Sequence, residues 1–182
     1  MLRTSDILDE KDKHLRAKNI DVVFPLKEET KKLINDMLEH LYYSQIEEYS
    51  KKYDLRPGMG LAAPQLGVNQ RFFVVCHEES ENKFKNYILI NPKMISHSEE
   101  LIYASEGEGC LSVNREVPGI VPRYARVTFT GYDLNGKLIK YRAREELSIA
   151  FQHEMDHLNG ILFVDHIDPK DPYKNKDYMR EI

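Results

Sequence analysis

The 182-residue sequence has only two cysteines, no long apolar run and no excess of basic side chains. Two cysteines in a chain of this length do not make a disulfide framework. No apolar stretch approaches the roughly 20 residues that cross a membrane as a helix. The 26 basic and 30 acidic residues give a net charge of −4, which offers no electrostatic reason to bind nucleic acid.

The first residues also lack the features of a targeting segment. Residues 1–19 carry acidic side chains throughout and have no uninterrupted apolar core. They fit neither a secretory signal nor an acid-poor transit peptide, so we expect a cytoplasmic protein. We also expect a monomer that is not membrane-bound. The length is sufficient for one large core but short for two, which predicts a single domain over residues 1–182.

The first half of the chain contains the strongest helical pattern. Leu33, Met37 and Leu41 recur at helical spacing and predict an amphipathic helix over residues 28–49. The following stretch, residues 50–60, is charged and carries a proline near its end. It is expected to be a connection.

Between residues 70 and 142 the pattern changes to β. The pair Asn135-Gly136 predicts a two-residue hairpin turn. The predicted strands are residues 71–76, 87–92 and 125–143. Helices and strands are segregated along the chain, which favours an α+β fold with mixed or antiparallel sheets over a doubly wound one. Residues 165–182 are polar and broken by prolines, so they are expected to be extended or partly disordered.

The stretch FQHEMDHLNG, residues 151–160, has the spacing of a metal-binding helix. Residues four apart share one face of an α-helix, so His153 and His157 can reach one ion, with Glu154 beside a bound water. Gly160 suits the left-handed residue that ends such a helix. The alternative is a helix with two ordinary histidines. The other histidines stand in polar stretches and are expected to face solvent: His14, His40, His77, His97 and His166.

A catalytic site of this type needs a third protein ligand. The metzincin pattern fails because Phe163 stands where its last histidine should be. Asp165 and His166 stay open as ligands, although no later helix is predicted to present them. Cys110 in EGEGCLSV is the stronger candidate, because a thiolate binds zinc or ferrous iron and no packing pattern explains the thiol. Cys76 ends an apolar run and is expected to be a core residue.

A third stretch, GMGLAAPQLG at residues 58–67, is small and apolar and ends near Gln65. It lacks the lysine and hydroxyl residue of a phosphate-binding loop. Small residues let another backbone approach closely, as in a cleft for an extended peptide, and an amide can donate to a developing oxyanion. The alternative is a tight turn before the next strand.

Together, GMGLAAPQ, EGCLS and QHEMDHLNG resemble the three signature motifs of peptide deformylases. All three match without a gap and in the same order, and the resemblance covers most of the chain. The segments ILINP and NREVPGIVPR are also similar to the family. The connection SQIEEYSKKYDLRPG and the ending CLSV resemble the class typical of Gram-positive bacteria.

The resemblance implies a set of roles for residues in this sequence. Cys110, His153 and His157 would bind one divalent metal, with Fe²⁺ native and Ni²⁺, Co²⁺ or Zn²⁺ able to replace it. Glu154 would be the general acid and base. The amide of Gln65 and the backbone N–H of Leu111 would stabilise the oxyanion, and Gly60 would offer backbone hydrogen bonds to the substrate. The implied fold is α+β, with mixed or antiparallel sheets around the central helix that carries HEMDH.

The implied reaction is removal of the formyl group from N-formylmethionyl nascent peptides, with transient ribosome contact. Leu61, Ile149 and Ala150 are expected to line the methionine pocket. Around the metal ligands, the expected partners of the histidines are Glu108 and Asp156, with Arg123 paired to one of them. Two other functions stay open: a metal-dependent endopeptidase, and a metal- or peptide-binding module without catalysis.

Overall fold

The computed structural model describes residues 2–182. Its helices are α1 (Glu28–Ser44), α2 (Glu47–Tyr53) and α3 (Glu145–Leu158). Its strands are β1 (Gly60–Ala62), β2 (Phe72–Ser80), β3 (Lys83–His97), β4 (Leu101–Tyr103), β5 (Arg123–Tyr124), β6 (Arg126–Tyr132), β7 (Leu138–Arg144) and β8 (Arg180–Glu181). No helix within residues 2–182 is long and apolar enough to cross a membrane.

The strands form two sheets beside α3. The larger is antiparallel throughout, in the order β1-β2-β3-β6-β7. The smaller has the order β5-β4-β8, with β4 antiparallel to β5 and parallel to β8. The predicted α+β fold with mixed and antiparallel sheets is therefore confirmed.

Strand β2 is apolar on both faces because helices cover both faces of the sheet. Alternate side chains of a strand point in opposite directions. Phe72 and Val74 pack into one core cluster with residues of α1, whereas Phe73 and Val75 pack into another with residues of α3. On the α3 side, the ring of Phe151 packs against three aromatic rings of the sheet at 5.5–5.7 Å. This packing fixes the position and rotation of α3.

The helix predicted over residues 28–49 is interrupted in the structure. Helix α1 ends at Ser44, Ile46 is extended, and α2 begins at Glu47. The amide of Gln45 donates hydrogen bonds to the carbonyls of Leu41 and Cys76, at 3.1 and 2.9 Å. This link ties the end of α1 to β2. Helix α2 overlaps the start of the predicted connection, so part of that connection is helical.

The turn between β6 and β7 is longer than predicted. It spans residues 133–137, and of the predicted pair only Gly136 has a positive φ, of 75°. The carboxylate of Asp133 accepts hydrogen bonds from the backbone of Asn135 and Lys137, both at 2.9 Å. This side chain closes the turn and removes the need for two left-handed residues.

The stretch from residue 165 to 182 is more ordered than predicted. Residues Arg180–Glu181 form β8, and the N–H of Ile182 donates to the carbonyl of Tyr103 at 3.0 Å. The polar composition of this stretch reflects its place at the sheet edge, where side chains reach solvent.

Two of the histidines expected to face solvent do not. His40 is fully buried on the inner side of α1, where its Nδ1 lies 3.1 Å from the carbonyl oxygen of Leu2. His77 is partly buried, whereas the other three are exposed. His40 lies three residues after Met37 and one before Leu41, so it shares their core-facing side of the helix.

Candidate active site

The three candidate metal ligands come together in the structure. Helix α3 places His153 and His157 one turn apart, with ring centres 5.1 Å from each other. Sγ of Cys110 lies 3.3 Å from Nε2 of His157, and one donor atom from each of the three residues lies within 4.8 Å of the others. A single ion bound to sulfur and nitrogen holds its ligands roughly 3.5 Å apart. The spacing therefore fits one metal ion.

The alternative ligands lie elsewhere. Asp165 forms an ion pair with Arg16. His166 places its Nε2 2.8 Å from the carboxylate of Asp156. Neither belongs to the cluster of Cys110, His153 and His157.

Arg56 holds the loop that carries Cys110. Its guanidinium donates to the carbonyls of Cys110 and Val113 and to the side chain of Asn114. These bonds tie the loop to the chain segment that leads into β1. Nothing in the sequence pattern of the charged connection identified Arg56, because its acceptors are backbone carbonyls more than 50 residues away.

The amide of Gln65 is oriented by its hydrogen bonds. Its oxygen accepts the N–H of Ala62 at 2.8 Å, so its NH₂ group faces the loop. That NH₂ donates to Oγ of Ser112 at 3.1 Å and lies 3.6 Å from Sγ of Cys110. The backbone N–H of Ser112 also approaches this sulfur, at 3.4 Å. These contacts fix the position of the sulfur in the loop.

A buried chain of charges stands behind His153. Nδ1 of His153 lies 2.7 Å from the carboxylate of Glu108. Arg123 donates to Glu108 at 2.7 and 3.0 Å and to Asp156 at 2.6 Å. The side chains of Arg123 and Glu108 are only 3% and 4% exposed. Both predicted carboxylates therefore pair with Arg123, and Glu108 is the one that reaches a metal-ligand candidate.

The charges of Glu108 and Arg123 determine the protonation of His153. Burial raises the pKa of Glu108, but the charge of Arg123 and the hydrogen bonds of His153 and Arg123 outweigh it and lower that pKa to about 2. The ionised carboxylate accepts the Nδ1 proton of His153. The other ring nitrogen, Nε2, is then the one that would bind a metal.

Arg123→Met is expected to lower the free energy of unfolding by about 3–5 kcal/mol, because the buried carboxylate of Glu108 loses its bidentate cationic partner and Asp156 loses a cation as well. Arg126→Met is the matched control, since Arg126 is 60% exposed and its ion pair should contribute less than about 1 kcal/mol. Denaturant unfolding at pH 7 measures both. Equal losses of unfolding free energy in the two variants would show that the buried ion pairs of Arg123 stabilise the fold no more than the exposed ion pair of Arg126 does.

The pairing of Glu108 with Arg123 makes the free energy of unfolding depend on pH. The folded pKa of Glu108 lies below its ordinary value of 4.5. Its stabilisation is therefore present above pH 4.5 and is lost as the pH falls towards 2. The difference in stability between the wild-type protein and Arg123→Met should narrow over that interval.

The two histidines differ in protonation. Burial opposes protonation of His153, but its hydrogen bonds with Cys110 and Glu108 prevail and raise its pKa well above the usual value. Burial, and then the charge of His153, lower the pKa of His157 well below the usual value. His157 is therefore neutral, as a metal requires of its ligands, whereas a metal that bound His153 would displace its ring proton.

Glu154 lies beside the three ligands. It is 4% exposed, and no residue among 2–182 makes a hydrogen bond to its Oε2. Burial raises the pKa of Glu154 to about 7. A carboxyl group with this pKa can both accept and return a proton near neutral pH.

Gly60 packs directly against this carboxyl group. A Cβ added at Gly60 would lie 2.7 Å from Cδ of Glu154, and closer still to Oε1. The φ of Gly60 is outside the left-handed region, so an alanine would fit the backbone and clash only with the glutamate.

Gly60→Ala is therefore expected to displace the Glu154 carboxyl group without unfolding the chain. A displacement of about 1 Å from the reacting atoms lowers kcat roughly 100-fold. Steady-state kinetics on a formylated peptide, with metal content and thermal unfolding measured alongside, test this. Wild-type kcat in the variant would show that the carboxyl group tolerates the shift.

Cys110, His153, Glu154 and Gln65 line one cavity of about 690 Å³, whereas His157 is not among its lining residues. Predicted site residues that line it are Gly60, Gln65, Cys110, Leu111, Ile149, Ala150, His153 and Glu154. Leu61 does not line it, because its side chain is fully buried in the core cluster beneath α1. In the short strand β1, Gly60 and Leu61 alternate, so only the first faces the cavity side.

Several lining residues were not identified from the sequence. They include Arg56, Met59, Ala104, Val113 and Ile182. They lie in segments far apart along the chain, and only strand pairing and loop packing bring them together. No local pattern distinguishes them from ordinary surface or core residues.

The chain is similar to proteins of one known family. The family model for polypeptide deformylase matches residues 4–173. The peptide deformylase of Macrococcus caseolyticus is 50% identical over 175 residues, which cover 96% of this chain and 95% of that protein. Peptide deformylase 2 of Bacillus anthracis is 45% identical over 182 residues, covering 100% of this chain and 99% of the relative.

Solved structures show the same similarity. The crystal structure of peptide deformylase from Thermotoga maritima has a TM-score of 0.70 at 32% identity, covering 90% of this chain and 97% of that one. A peptide deformylase from Legionella pneumophila gives 0.71 at 34% identity, with coverages of 90% and 86%. By the match of the family model and the identities of these relatives, the chain belongs to the polypeptide deformylase family.

Proposed function

We propose that this protein is a metal-dependent hydrolase that removes the N-formyl group from the formyl-methionine of newly made proteins and releases formate. The observation that carries this function is the meeting of three candidate metal ligands beside a cavity that is lined by the buried Glu154 and the oriented Gln65. Membership of the deformylase family supports the same reaction.

Cys110, His153 and His157 would hold one divalent ion. Fe²⁺ is proposed as the native metal because the resemblance to peptide deformylases implies it, whereas the ligand set itself suits iron, zinc and cobalt alike. Ni²⁺, Co²⁺ or Zn²⁺ can occupy the same ligands. When bound there, a divalent ion lowers the pKa of a coordinated water and polarises the formyl carbonyl.

Glu154 would move the proton. Its carboxylate accepts a proton from the attacking water as the oxygen adds to the formyl carbon. It then gives that proton to the amine nitrogen as the carbon–nitrogen bond breaks. A buried carboxyl group with a pKa of about 7 is suited to both steps.

Gln65 and Leu111 would stabilise the oxyanion of the tetrahedral intermediate. The NH₂ group of Gln65 already faces Cys110, because its oxygen is held by Ala62. Leu111 follows Cys110 directly and lines the cavity, which supports its backbone N–H as the second donor. One such donor typically contributes about 3 kcal/mol to lowering the barrier.

The remaining cavity would hold the peptide. Ile149 and Ala150 lie one turn before the histidine and glutamate on α3 and supply an apolar lining for methionine. Gly60 stands at the cavity edge of β1, where its backbone can bond an extended substrate.

Product identity separates this function from the alternatives. After incubation of formyl-Met-Ala-Ser with nickel-loaded protein, mass spectrometry should find an intact peptide that has lost only its formyl group. Cleavage between residues would favour a metal-dependent endopeptidase. An unchanged peptide with one metal bound per chain would favour a binding module.

The cellular setting is proposed as follows. Residues 1–182 act as one catalytic domain, monomeric and cytoplasmic, with only transient contact with the ribosome. Relatives from Macrococcus and Bacillus support assignment to the class typical of Gram-positive bacteria.

A further inference from the structure

We propose that Ile182 forms the outer wall of the methionine pocket and helps to select the side chain that the enzyme accepts. The inference rests on the deformylase function proposed above and concerns its substrate preference. It assigns a specificity role to a stretch of sequence with no catalytic motif.

The cavity follows one face of α3. Glu145 and Glu146 lie at its start, Ile149 and Ala150 follow, and His153 and Glu154 come last. Four residues of helix advance about 6 Å. With the formyl carbon beside His153 and Glu154, the side chain of the first peptide residue therefore reaches the level of Ile149.

Ile182 packs in the same apolar cluster as Ile149, together with Ala104, and it lines the cavity itself. Ile149 and Ala104 come from α3 and from the segment after β4. Ile182 therefore completes an apolar wall that neither segment makes alone.

Backbone hydrogen bonds hold this wall in place. The N–H of Ile182 donates to the carbonyl of Tyr103 at 3.0 Å, and its carbonyl accepts the N–H of Ser105 at 2.9 Å. Strand β8 immediately before it pairs with β4. A wall fixed on both sides limits the width of the pocket.

Arg180 connects the wall to the rim of the cavity. Its guanidinium bonds both carboxylate oxygens of Glu145, at 2.7 and 2.9 Å, and Glu100 at 2.8 Å. Glu145 has a φ of 53°, an uncommon value for a residue with a side chain, and the bidentate bond holds its side chain there. Arg180 is thus a positioning residue for Ile182.

A pocket of this kind discriminates by volume. One methylene group more or less in an apolar pocket changes kcat/KM by about 10- to 200-fold. Ile182→Ala would widen the pocket, and Ile182→Phe would narrow it. The two substitutions should therefore change the preference for large over small side chains in opposite directions.

The experiment compares kcat and KM of the nickel-loaded wild-type enzyme and its variants on formyl-Met-Ala-Ser, formyl-Phe-Ala-Ser and formyl-Ala-Ala-Ser. In Ile182→Ala, the ratio of kcat/KM for the Phe peptide to that for the Ala peptide should rise about tenfold. In Ile182→Phe it should fall by a similar factor. KM for the Met peptide should rise in both, with kcat and metal content close to wild type.

Two further variants keep the test decisive. Ile182→Val removes one methyl group, should fold even where alanine does not, and should raise the Phe-to-Ala ratio by less than Ile182→Ala does. Tyr178→Ala, at a residue 86% exposed and outside the cavity lining, should leave the ratio unchanged. Arg180→Ala should shift the ratio in the same direction as Ile182→Ala.

An unchanged ratio in folded Ile182→Val and Ile182→Ala would overturn the inference, and so would shifts in the same direction for alanine and phenylalanine. Both results require that the wild-type enzyme releases formate in the same assay. A wild-type protein that releases none from any of the three peptides would instead overturn the proposed function.

Discussion

Glu154→Gln is expected to lower kcat/KM for a formylated peptide by at least about 1000-fold while the protein keeps its metal. The substitution preserves size and polarity but removes the carboxyl group. Among residues 2–182, this is the only buried carboxyl group that lies beside the three candidate ligands and is not paired to Arg123. General acid–base catalysis typically contributes 10²- to 10⁴-fold, and Glu154 would serve both proton transfers. The pKa of about 7 that burial gives this group suits that double use.

The control for this variant is Glu48→Gln, which removes an exposed carboxylate from α2. It should retain wild-type kinetics. Metal content, thermal unfolding and kinetics are measured together. A Glu154→Gln protein with full metal content and wild-type activity would require another base, and the proposed mechanism would then be wrong.

Cys110→Ser is expected to lower metal affinity by more than 100-fold and to remove activity with it. Even residues that only orient metal ligands cost 10- to 100-fold when mutated, and a thiolate ligand should cost more. Ser is nearly isosteric, but its hydroxyl group does not become an anion at neutral pH and is a poor ligand for iron or nickel. Metal analysis after dialysis measures the change.

Cys76→Ser is the matched control in the same chain. Cys76 is fully buried in the core between β2 and α1, and burial raises the pKa of its thiol to about 11. It should lose some stability and keep its metal. Equal metal loss in both folded variants would contradict the assignment of Cys110 as a ligand.

The parts of the site that the sequence predicted depend on local geometry. His153, Glu154 and His157 lie on one helix, so their spacing alone places them together. Cys110 could be chosen because its thiol had no packing explanation and its motif resembled a known family. The segregation of helices and strands similarly predicted the α+β class.

The parts that were missed depend on contacts between distant segments. Pairing of β8 with β4 brings Ile182 to the cavity, and no residue in that polar stretch indicates its partner. Arg56 reaches the carbonyl of Cys110 only after the loop has folded. Leu61 was placed in the pocket because its motif lies there, but the alternation of β1 turns its side chain into the core.

The break between α1 and α2 has the same origin. The helical spacing of Leu33, Met37 and Leu41 predicts one helix that continues to residue 49. The amide of Gln45 bonds the carbonyl of Cys76, and the chain turns there instead of continuing. Tertiary hydrogen bonds of this kind override helix propensity, which is a weak preference.

The most direct test of the central claim is formate release from formyl-Met-Ala-Ser by protein purified without oxygen and reloaded with nickel or iron. The structure and the family predict release that requires the metal, stops when a chelator is added, and returns when the metal is restored. Folded protein that carries one metal ion per chain and releases no formate would contradict the assignment.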